Sequence, residues 1–278
     1  MSDSDDWITL EQAAEFMRSG TGRGVKIAVL DTGIDTTHPS LAGVRLLHDH
    51  AYEEVYEPTT TLETVSGNNE DFHGHGTAVA DIIHRVAPEA EIGSFHVLVK
   101  NTESRTEIVA RGAVEAIDRG YSILNCSFGC NVPEHALRYK SWVDMAYLKN
   151  VHVVAAGSSV DPREELWPGF FTSVISVDVA DLPDENDLYY KRDSVVEFYA
   201  HAVNLKVAWS SKLFRHITGS SFAAARVTGL LARLLSEAPH LTPCQAKAIL
   251  HRIARPWPPA AGEVSYREAP PPQSLFYL

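Results

Sequence analysis

The 278-residue chain has few cysteines, few basic residues and no long apolar run. Its three cysteines are too few, and odd in number, for a disulfide framework. No segment approaches the roughly 20 consecutive apolar residues that span a bilayer, so we expect no membrane insertion. With 24 basic against 36 acidic residues, the formal net charge is −12. Because phosphate backbones bind to basic faces, we expect no nucleic-acid partner.

The N-terminal segment is acidic and polar, with the sequence Met1-Ser2-Asp3-Ser4-Asp5-Asp6. A secretory signal instead has a basic start followed by an apolar stretch. We therefore expect a cytoplasmic protein, or a chain from which a targeting segment has been removed.

Two sets of potential metal ligands occur in the sequence, and neither favours a metal. Cys126 and Cys130 could form half of a zinc site, yet no second Cys or His pair follows at zinc-finger spacing. His48-Asp49-His50 lies in a charged segment that we interpret as a solvated face. We expect both cysteines to be small buried thiols, and we expect neither a metal nor another cofactor.

Apolar runs typical of buried strands alternate with helical patterns along the chain. The strand-like runs are 25–30, 92–99, 121–127, 151–156 and 174–179, and the helical patterns are at about 75–87, 104–119 and 133–149. Since these strands are apolar on both faces, the pattern predicts a mainly parallel sheet with helices on either side. The predicted fold class is α/β, with three layers and a twisted sheet.

Capping boxes predict helix starts at Thr9 and Thr242. A further strand pair is predicted at 195–200 and 203–208, followed by a long helix at about 221–237 and a last helix that ends near 253. The proline-rich remainder, 256–278, is predicted to be an extended tail. Without an internal repeat or a linker, we predict one domain over 1–278 with its core at about 22–255.

Three segments supply an acid, an imidazole and an alcohol. Asp31 ends an apolar run, while His75 and Ser221 each begin a helical pattern. An alcohol becomes nucleophilic when a base contacts it, a carboxylate orients that base, and donors stabilise the oxyanion. Asp, His, Ser is one of the chain orders in which such triads occur. We predict these three roles for Asp31, His75 and Ser221, with activity rising through about pH 6.5–7 as the imidazole deprotonates.

Structural interpretations compete with these roles. Taken alone, His75 would be a satisfied core histidine and Asp31 a turn or cap aspartate. A carboxylate buried at a strand end nevertheless needs a partner such as an imidazole N–H. We interpret His73 as a loop histidine and Ser220 as a neighbour that shapes the backbone.

The motifs around the three residues resemble those of the subtilisin-like serine proteases (subtilases). The resembling segments are 24–35 with 38–39 for the family's aspartate, 75–80 for its histidine and 219–223 for its Gly-Thr-Ser-Met-Ala serine motif. The resemblance runs from about Gly22 to Ile253 in the family's order. It implies a subtilisin-like fold and a serine endopeptidase that hydrolyses peptide bonds through an acyl-enzyme.

A fourth segment concerns the substrate. Asn125-Cys126-Ser127-Phe128-Gly129 resembles the family's Asn-Met-Ser-Leu-Gly, a strand that pairs with extended peptides by backbone hydrogen bonds. The resemblance implies that Ser127, Phe128 and Gly129 bind substrate. Trp167-Pro168-Gly169 resembles the family's Tyr-Pro-Gly and suggests a cis bond before Pro168.

One departure from the family affects the oxyanion hole. The family's Val-Val-Ala-Ala-Ala-Gly-Asn carries a side-chain donor, but here Ser158 follows Gly157. Losing that donor costs about 10²–10³ in turnover, a magnitude measured in a member of this family. We expect the Ser221 backbone amide to be the main donor and Ser158 a weakened second one, acting directly or through water.

Other departures affect the surroundings of the triad. Asp81 stands where the family has Gly, and Ala225-Arg226 where it has Pro-His, so local packing and pocket shape should differ. The stretch 161–166 lies where relatives form the specificity pocket, and Leu166 is expected to narrow it. The 30 residues before Asp31 leave no room for the pro-segment of secreted members, which favours either an intracellular member or a chain from which that segment has been cleaved. Calcium binding stays open.

Three functions fit these observations. The first is a serine endopeptidase with a peptide or protein substrate and a restricted substrate range. The second is a protease-like scaffold that binds peptides or a partner protein without cleaving them, as the missing Asn suggests. The third is a peptide-maturation enzyme that passes the acyl group to an amine. An intracellular protease must be kept from cleaving other proteins of the cell. A regulatory partner protein would do this, and so would a narrow substrate range or the depleted oxyanion hole.

Overall fold

The computed structural model describes residues 7–55, 61–98, 104–158 and 164–257. The helices are α1 (Leu10–Ser19), α2 (His75–Val86), α3 (Thr106–Asp118), α4 (Ala136–Leu148), α5 (Ser220–Glu237) and α6 (Pro243–Ile253). The strands are β1 (Lys26–Asp31), β2 (Asp49–Val55), β3 (Thr61–Ser66), β4 (Glu91–His96), β5 (Ile123–Cys126), β6 (His152–Ala156), β7 (Ile175–Ala180), β8 (Leu188–Tyr190), β9 (Phe198–His201), β10 (Leu205–Ala208), β11 (Phe214–Ile217) and β12 (Arg255–Pro256).

Ten of these strands form one mainly parallel sheet. Its order is β12-β8-β9-β7-β6-β5-β1-β4-β2-β3, while β10 and β11 form a separate antiparallel pair. The central strands all run parallel, and the antiparallel pairings of the large sheet are β2 with β3 and β8 with β9. The predicted three-layer α/β architecture is confirmed.

Residues of β1 alternate between two cores because successive strand side chains point to opposite faces. Ile27 and Val29 pack with α1, α2, α5 and α6 on one face. Ala28 and Leu30 pack with α3 and α4 on the other. Helices on both faces explain why residues 27–30 of this strand are all apolar rather than alternating. Each large apolar side chain buried in this way contributes roughly 1.5–3 kcal/mol.

The order of the strands brings the site together. The three neighbouring strands β6, β5 and β1 run parallel. Their carboxyl ends therefore meet at one edge of the sheet. Asp31 is the last residue of β1, and Ser127 and Ser158 lie just after the ends of β5 and β6. The helices α2 and α5 begin at His75 and Ser220 and pack against this sheet on the same side.

Several predicted elements need correction. The runs at 195–200 and 203–208 correspond to β9 and β10, but they do not pair with each other. β9 lies between β7 and β8, and β10 pairs with β11. The hairpin β2–β3 and the short strands β8, β11 and β12 were not predicted. Most residues of β2, β3, β11 and β12 are exposed or half-buried, and β8 is buried but only three residues long. The helix predicted from 221 begins at Ser220.

Both predicted capping boxes are present, at Thr9 and Thr242. The peptide bond between Trp167 and Pro168 is cis, as the resemblance suggested. The predicted tail begins with Pro256, which pairs with β8 as part of β12. The rest of the tail, from residue 258, lies outside the described residues. That the whole chain is one domain stays a prediction.

Candidate active site

Asp31 and His75 form a buried pair. Asp31 is the last residue of β1 and His75 the first of α2, and their side chains are 0% and 1% exposed. The Nδ1 atom of His75 lies 2.7 Å from Oδ1 of Asp31, which also accepts a hydrogen bond from the Thr32 amide at 2.8 Å. With its Nδ1 proton donated to Asp31, the imidazole presents Nε2 as its basic atom.

A second buried carboxylate, Asp71, fixes the loop that leads to His75. Its Oδ1 accepts hydrogen bonds from the Thr32 hydroxyl at 2.9 Å and from the amides of His73 and Gly74 at 3.1 and 2.7 Å. Its Oδ2 accepts from the amide and the hydroxyl of Thr77 at 2.9 and 2.8 Å. Asp71 thus joins the chain after Asp31 to both sides of His75.

Glycines let the loop and β1 approach closely. Gly74 precedes α2 with a φ of 96°, a conformation that side chains disfavour. A Cβ on Gly76 would collide with the carbonyl oxygen of Gly33 and lie 3.1 Å from Cβ of Asp31. Asp71 was not predicted from the sequence. Its signal was a carboxylate four residues before a helix-initiating histidine, where the exposed amides of a helix start need acceptors.

Ser221, the second residue of α5, lies at the carboxyl edge of the sheet. Its hydroxyl donates to the Ser127 carbonyl oxygen at 3.0 Å, and the Ser127 hydroxyl donates to the Ser221 carbonyl oxygen at 2.9 Å. The Phe222 ring centroid lies 5.2 Å from that of His75, which puts the imidazole beside the start of α5. A hydroxyl has one proton, so proton transfer to the imidazole requires the Ser221 hydroxyl to turn from the Ser127 carbonyl toward His75.

Ser158 lies beside the start of α5. The Ser220 hydroxyl donates to the Gly157 carbonyl oxygen at 2.8 Å and thereby holds the segment that follows β6 against this helix. The Ser158 hydroxyl donates to Oε2 of Glu164 at 2.7 Å. In this arrangement its proton goes to a carboxylate rather than toward a substrate oxygen. The oxyanion role of Ser158 therefore stays a prediction. That role requires the Ser158 hydroxyl to turn from Glu164 toward the substrate oxygen.

The predicted substrate-binding segment lies next to the nucleophile. Ser127 and Phe128 are buried, and Cys130 pairs with Trp167 through two backbone hydrogen bonds of 2.9 Å. The chain around Trp167 therefore runs antiparallel to the segment that leaves β5. A Cβ on Gly129 would lie 2.9 Å from Cβ of Leu166. The Leu166 side chain thus covers Gly129, as expected for a narrowed pocket, while the substrate-binding role stays a prediction.

Asp81 and Arg226, the two charged residues at which the sequence departs from the family, bond to neighbouring segments. Asp81 on α2 accepts hydrogen bonds from the Ala208 amide at 2.9 Å and from the Arg85 guanidinium at 3.0 Å. Arg226 on α5 donates to the carbonyl oxygens of His201 and Glu185 at 2.9 and 3.2 Å. Burial lowers the pKa of Arg226. Both groups anchor their helices to neighbouring segments.

His73, His48 and His50 lie beside other ring or polar groups. The His73 ring centroid lies 6.3 Å from that of His75, and burial, followed by the charge of His75, lowers the pKa of His73. His48 Nδ1 lies 2.8 Å from the Tyr121 hydroxyl, and His50 Nδ1 lies 2.8 Å from Oε1 of Glu115. Both are half-buried, which corrects the expectation of a solvated face.

No metal cluster or membrane-spanning helix is found in the described parts of the chain. There, no three His, Cys, Asp or Glu side chains are arranged to hold a metal ion. None of the helices in the same ranges is both long and apolar enough to cross a bilayer. Cys126 and Cys130 are buried thiols, as predicted, and burial raises the pKa of Cys126.

Comparison with known proteins identifies similar chains. The profile of the subtilase family, peptidase S8, matches residues 22–269. A thermophilic serine proteinase of Bacillus sp. (strain AK1) is 28% identical over 224 residues, which cover 77% of this chain and 53% of that protein. Thermitase of Thermoactinomyces vulgaris is 28% identical over 236 residues, which cover 81% of this chain and 80% of thermitase. The chain therefore spans about half of the first relative and four-fifths of the second.

Solved structures share the fold. A cold adapted subtilisin-like serine proteinase superposes with a TM-score of 0.67 at 24% identity, over 83% of this chain and 82% of that one. The S41 psychrophilic protease superposes with a TM-score of 0.65 at 21% identity, over 85% of this chain and 86% of that one.

Proposed function

This chain belongs to the subtilase family of serine proteases, and from that premise we propose that it is an endopeptidase with Asp31, His75 and Ser221 as its triad. The observation that carries the proposal is the 2.7 Å contact between Asp31 Oδ1 and His75 Nδ1, which is buried and lies beside the start of α5. An oriented imidazole next to a hydroxyl at a helix N-terminus is the arrangement that acyl transfer requires.

In the proposed reaction Ser221 Oγ bonds to the scissile carbonyl carbon while its proton passes to Nε2 of His75. Asp31 stabilises the resulting imidazolium. The carbonyl electron pair moves to oxygen, where the Ser221 amide and the positive end of the α5 dipole stabilise it. The C–N bond then breaks, and His75 protonates the leaving amine. Water hydrolyses the acyl-enzyme with the same base.

We propose slow turnover for this enzyme. The hydrogen bond from the Ser158 hydroxyl to Glu164 supports this proposal, because it leaves the Ser221 amide as the main oxyanion donor. One missing donor costs roughly 10²–10³ in turnover. A restricted substrate range is supported by the Leu166 side chain over Gly129, which takes space from a substrate side chain beside the cleaved bond.

We also propose a cytoplasmic location. All three cysteines of the chain are unpaired thiols, two of them buried. Secreted proteins more often carry disulfides, because their compartments are oxidising. Fractionation of native cells with an antibody against this chain tests the location, and recovery only from the culture medium or an extracytoplasmic fraction would contradict it.

Cleavage of an unbiased peptide library tests the proposed activity. The wild type should release products with new carboxyl and amino termini, and Ser221→Ala should release none. Ser141→Ala is the matched control, because it removes an exposed hydroxyl of α4, on the other face of the sheet, and should retain cleavage. If the wild type binds peptides and cleaves none, the chain is a protease-like scaffold, a function that the engaged hydroxyls of Ser158 and Ser221 favour as the alternative.

A further inference from the structure

A cavity of about 220 Å³ lies between α2, α5 and the loop that joins β7 to β8. Its polar lining consists of Arg85 from α2, Arg226 and Arg233 from α5, and Glu185 and Asn186 from the loop. Arg226 is 5% exposed, whereas Arg85 and Glu185 are exposed, so the cavity has a buried wall and opens to solvent.

The packing of α2 on α5 brings the three arginines together. A Cβ on Gly229 would lie 2.6 Å from Cβ of Val86, so the two helices are in direct contact there. Arg226 and Arg233 are three residues before and four residues after Gly229, which places them on the same face of α5. Arg85 directly precedes Val86 on α2. Two cationic side chains of one helix therefore meet a third across the contact.

Arg233 has N–H groups to spare. Its Nε donates to the Val86 carbonyl oxygen at 2.5 Å, and its Nη1 donates to the Met17 carbonyl oxygen at 3.1 Å. A guanidinium has five N–H donors, and in the described parts of the chain the two on Nη2 have no acceptor. Because carbonyl oxygens carry no net charge, these bonds do not neutralise Arg233. Burial lowers its pKa, as expected for a cation withdrawn from water.

Two carboxylates pair with these arginines and do not balance them. Glu185 Oε2 lies 2.9 Å from Arg226 Nη2, and Asp81 Oδ2 lies 3.0 Å from Arg85 Nη2. The Glu185 side chain is 65% exposed, so its contact with Arg226 is exchanged for water at little cost. Burial lowers the pKa of Arg226, Glu185 raises it, and the charges of Arg85 and Arg233 lower it again. Positive charge is therefore in excess around this cavity, in a chain whose formal net charge is −12.

We propose that the cavity binds a phosphate group, held by Arg85, Arg226 and Arg233 in place of the Glu185 side chain. Guanidinium groups donate paired N–H bonds to phosphate oxygens, and such charge-assisted bonds are among the stronger polar contacts. A phosphate presents oxygens in several directions, whereas a carboxylate presents two in one plane. Three guanidinium groups that come from two helices therefore suit a phosphate better.

The phosphate site is separate from the triad. Arg85 lies about 15 Å from His75 along the axis of α2, so phosphate binding does not depend on the proposed function. Arg226 stands where the family's serine motif has His, which makes the cluster a feature of this chain. A phosphate bonded to both helices ties α2, which begins at His75, to α5, which carries Ser221. Phosphate should therefore raise the unfolding temperature.

Isothermal titration calorimetry in phosphate-free buffer, at an ionic strength of about 0.15 M, tests the site. Orthophosphate, pyrophosphate and AMP are titrated separately into the wild type, and we expect at least one of them to bind at one site per chain. If orthophosphate or pyrophosphate binds more tightly than AMP, the site takes inorganic phosphate. Tighter binding of AMP assigns the same site to the phosphate of a nucleotide.

Glu185→Gln gives the sharpest test, because it predicts a gain. Removal of the competing carboxylate should tighten phosphate binding roughly two- to fivefold. Arg85→Gln, at an exposed position, should weaken binding roughly tenfold, since a charged hydrogen-bond donor is lost. The matched controls are Glu237→Gln at the exposed end of α5 and Arg252→Gln at an exposed position of α6. Both should bind phosphate like the wild type.

Three results would overturn the phosphate site. One is a folded wild type that binds none of the three compounds. Another is a Kd that Glu185→Gln and Arg85→Gln both leave unchanged, because phosphate then binds elsewhere. The third is weaker binding by Glu185→Gln, because the carboxylate then helps to build the site instead of competing for it. Peptide cleavage by the wild type, or its absence, bears on the proposed function alone.

Discussion

The Thr32 hydroxyl donates to Asp71 at 2.9 Å, so the residue that follows Asp31 is tied to the loop that leads into His75. The same carboxylate holds Gly74 and Thr77 on either side of His75. Because the two ends of the Asp31–His75 pair come from different elements, this carboxylate is what fixes their separation. Asp71 is a positioning residue.

Replacing Asp71 with asparagine removes the charge and one of the two accepting oxygens. We expect kcat to fall about 10–100-fold with little change in KM. The imidazole is misplaced, while the predicted substrate-binding segment, 127–129, keeps its position. Unfolding free energy should fall by about 1–3 kcal/mol, as for a buried polar group that loses partners. Steady-state kinetics and denaturant titration measure both.

The matched control is Asp184→Asn, which changes an exposed turn aspartate far from α2 in sequence and should leave kcat and stability unchanged. A loss of stability in Asp71→Asn with kcat unchanged would make Asp71 a purely structural residue.

Shortening Leu166 to alanine should widen the pocket above Gly129. We expect the peptide-library profile to extend to larger side chains before the cleaved bond. The variant should also be about 2–4 kcal/mol less stable, since a buried leucine is truncated. Leu148→Ala, at an 81% exposed position, is the control for both measurements. An unchanged profile would mean that Leu166 does not border the bound substrate.

Asp178 predicts a pH dependence of stability. Burial raises the pKa of Asp178 to about 7 from an ordinary value of 3.8. The folded state thus favours the protonated form, so this stabilising contribution is complete below about pH 4 and is lost as the pH rises to about 7. The loss is on the order of 4 kcal/mol. Asp178→Asn should therefore unfold several degrees higher than the wild type at pH 8, with little difference at pH 4.

Thermal unfolding of the two proteins at pH 4, 6 and 8 checks this sign. Asp144→Asn, which alters a half-exposed carboxylate paired with Lys140, should follow the wild type at each pH. If Asp178→Asn is less stable than the wild type at pH 8, the carboxylate is ionised and paired in the folded protein, contrary to the prediction.

His152 predicts the opposite trend at lower pH. Burial lowers its pKa to about 4 from 6.5. The folded state favours the neutral ring, so this contribution is complete above about pH 6.5 and is lost as the pH falls toward 4. His152→Gln should lose less stability than the wild type between pH 6.5 and 4, as measured by urea titration at each pH. The control is His240→Gln, at an exposed position. Equal changes of unfolding free energy with pH for His152→Gln and the wild type would refute the prediction.

The central strands and the contact between Asp31 and His75 could be predicted because their signals are local. A strand covered on both faces has a continuous apolar run, as in β1, and the motifs around Asp31, His75 and Ser221 are short. The hairpin β2–β3 has no such run, because its side chains are largely polar and partly exposed. The pairing of β10 with β11 depends on how the chain turns between them, which hydrophobic patterns do not encode.

The polar network of the site could be predicted only in part. Asp71 is 39 residues from Thr32, so their hydrogen bond follows from the fold and not from any motif. The sequence did single out Ser158 as the residue in place of the family's Asn. That its hydroxyl donates to Glu164 depends on side-chain orientation, which spacing along the chain does not specify.

The central claim is that Ser221 is a nucleophile activated by His75. A fluorophosphonate probe, followed by mass spectrometry of proteolytic fragments, tests it most directly, because the probe bonds to an activated serine oxygen. We predict one adduct on Ser221 in the wild type, a large fall in labelling rate in His75→Ala, and no adduct in Ser221→Ala. An unlabelled Ser221 in folded wild-type protein, or equal labelling in His75→Ala, would contradict the account.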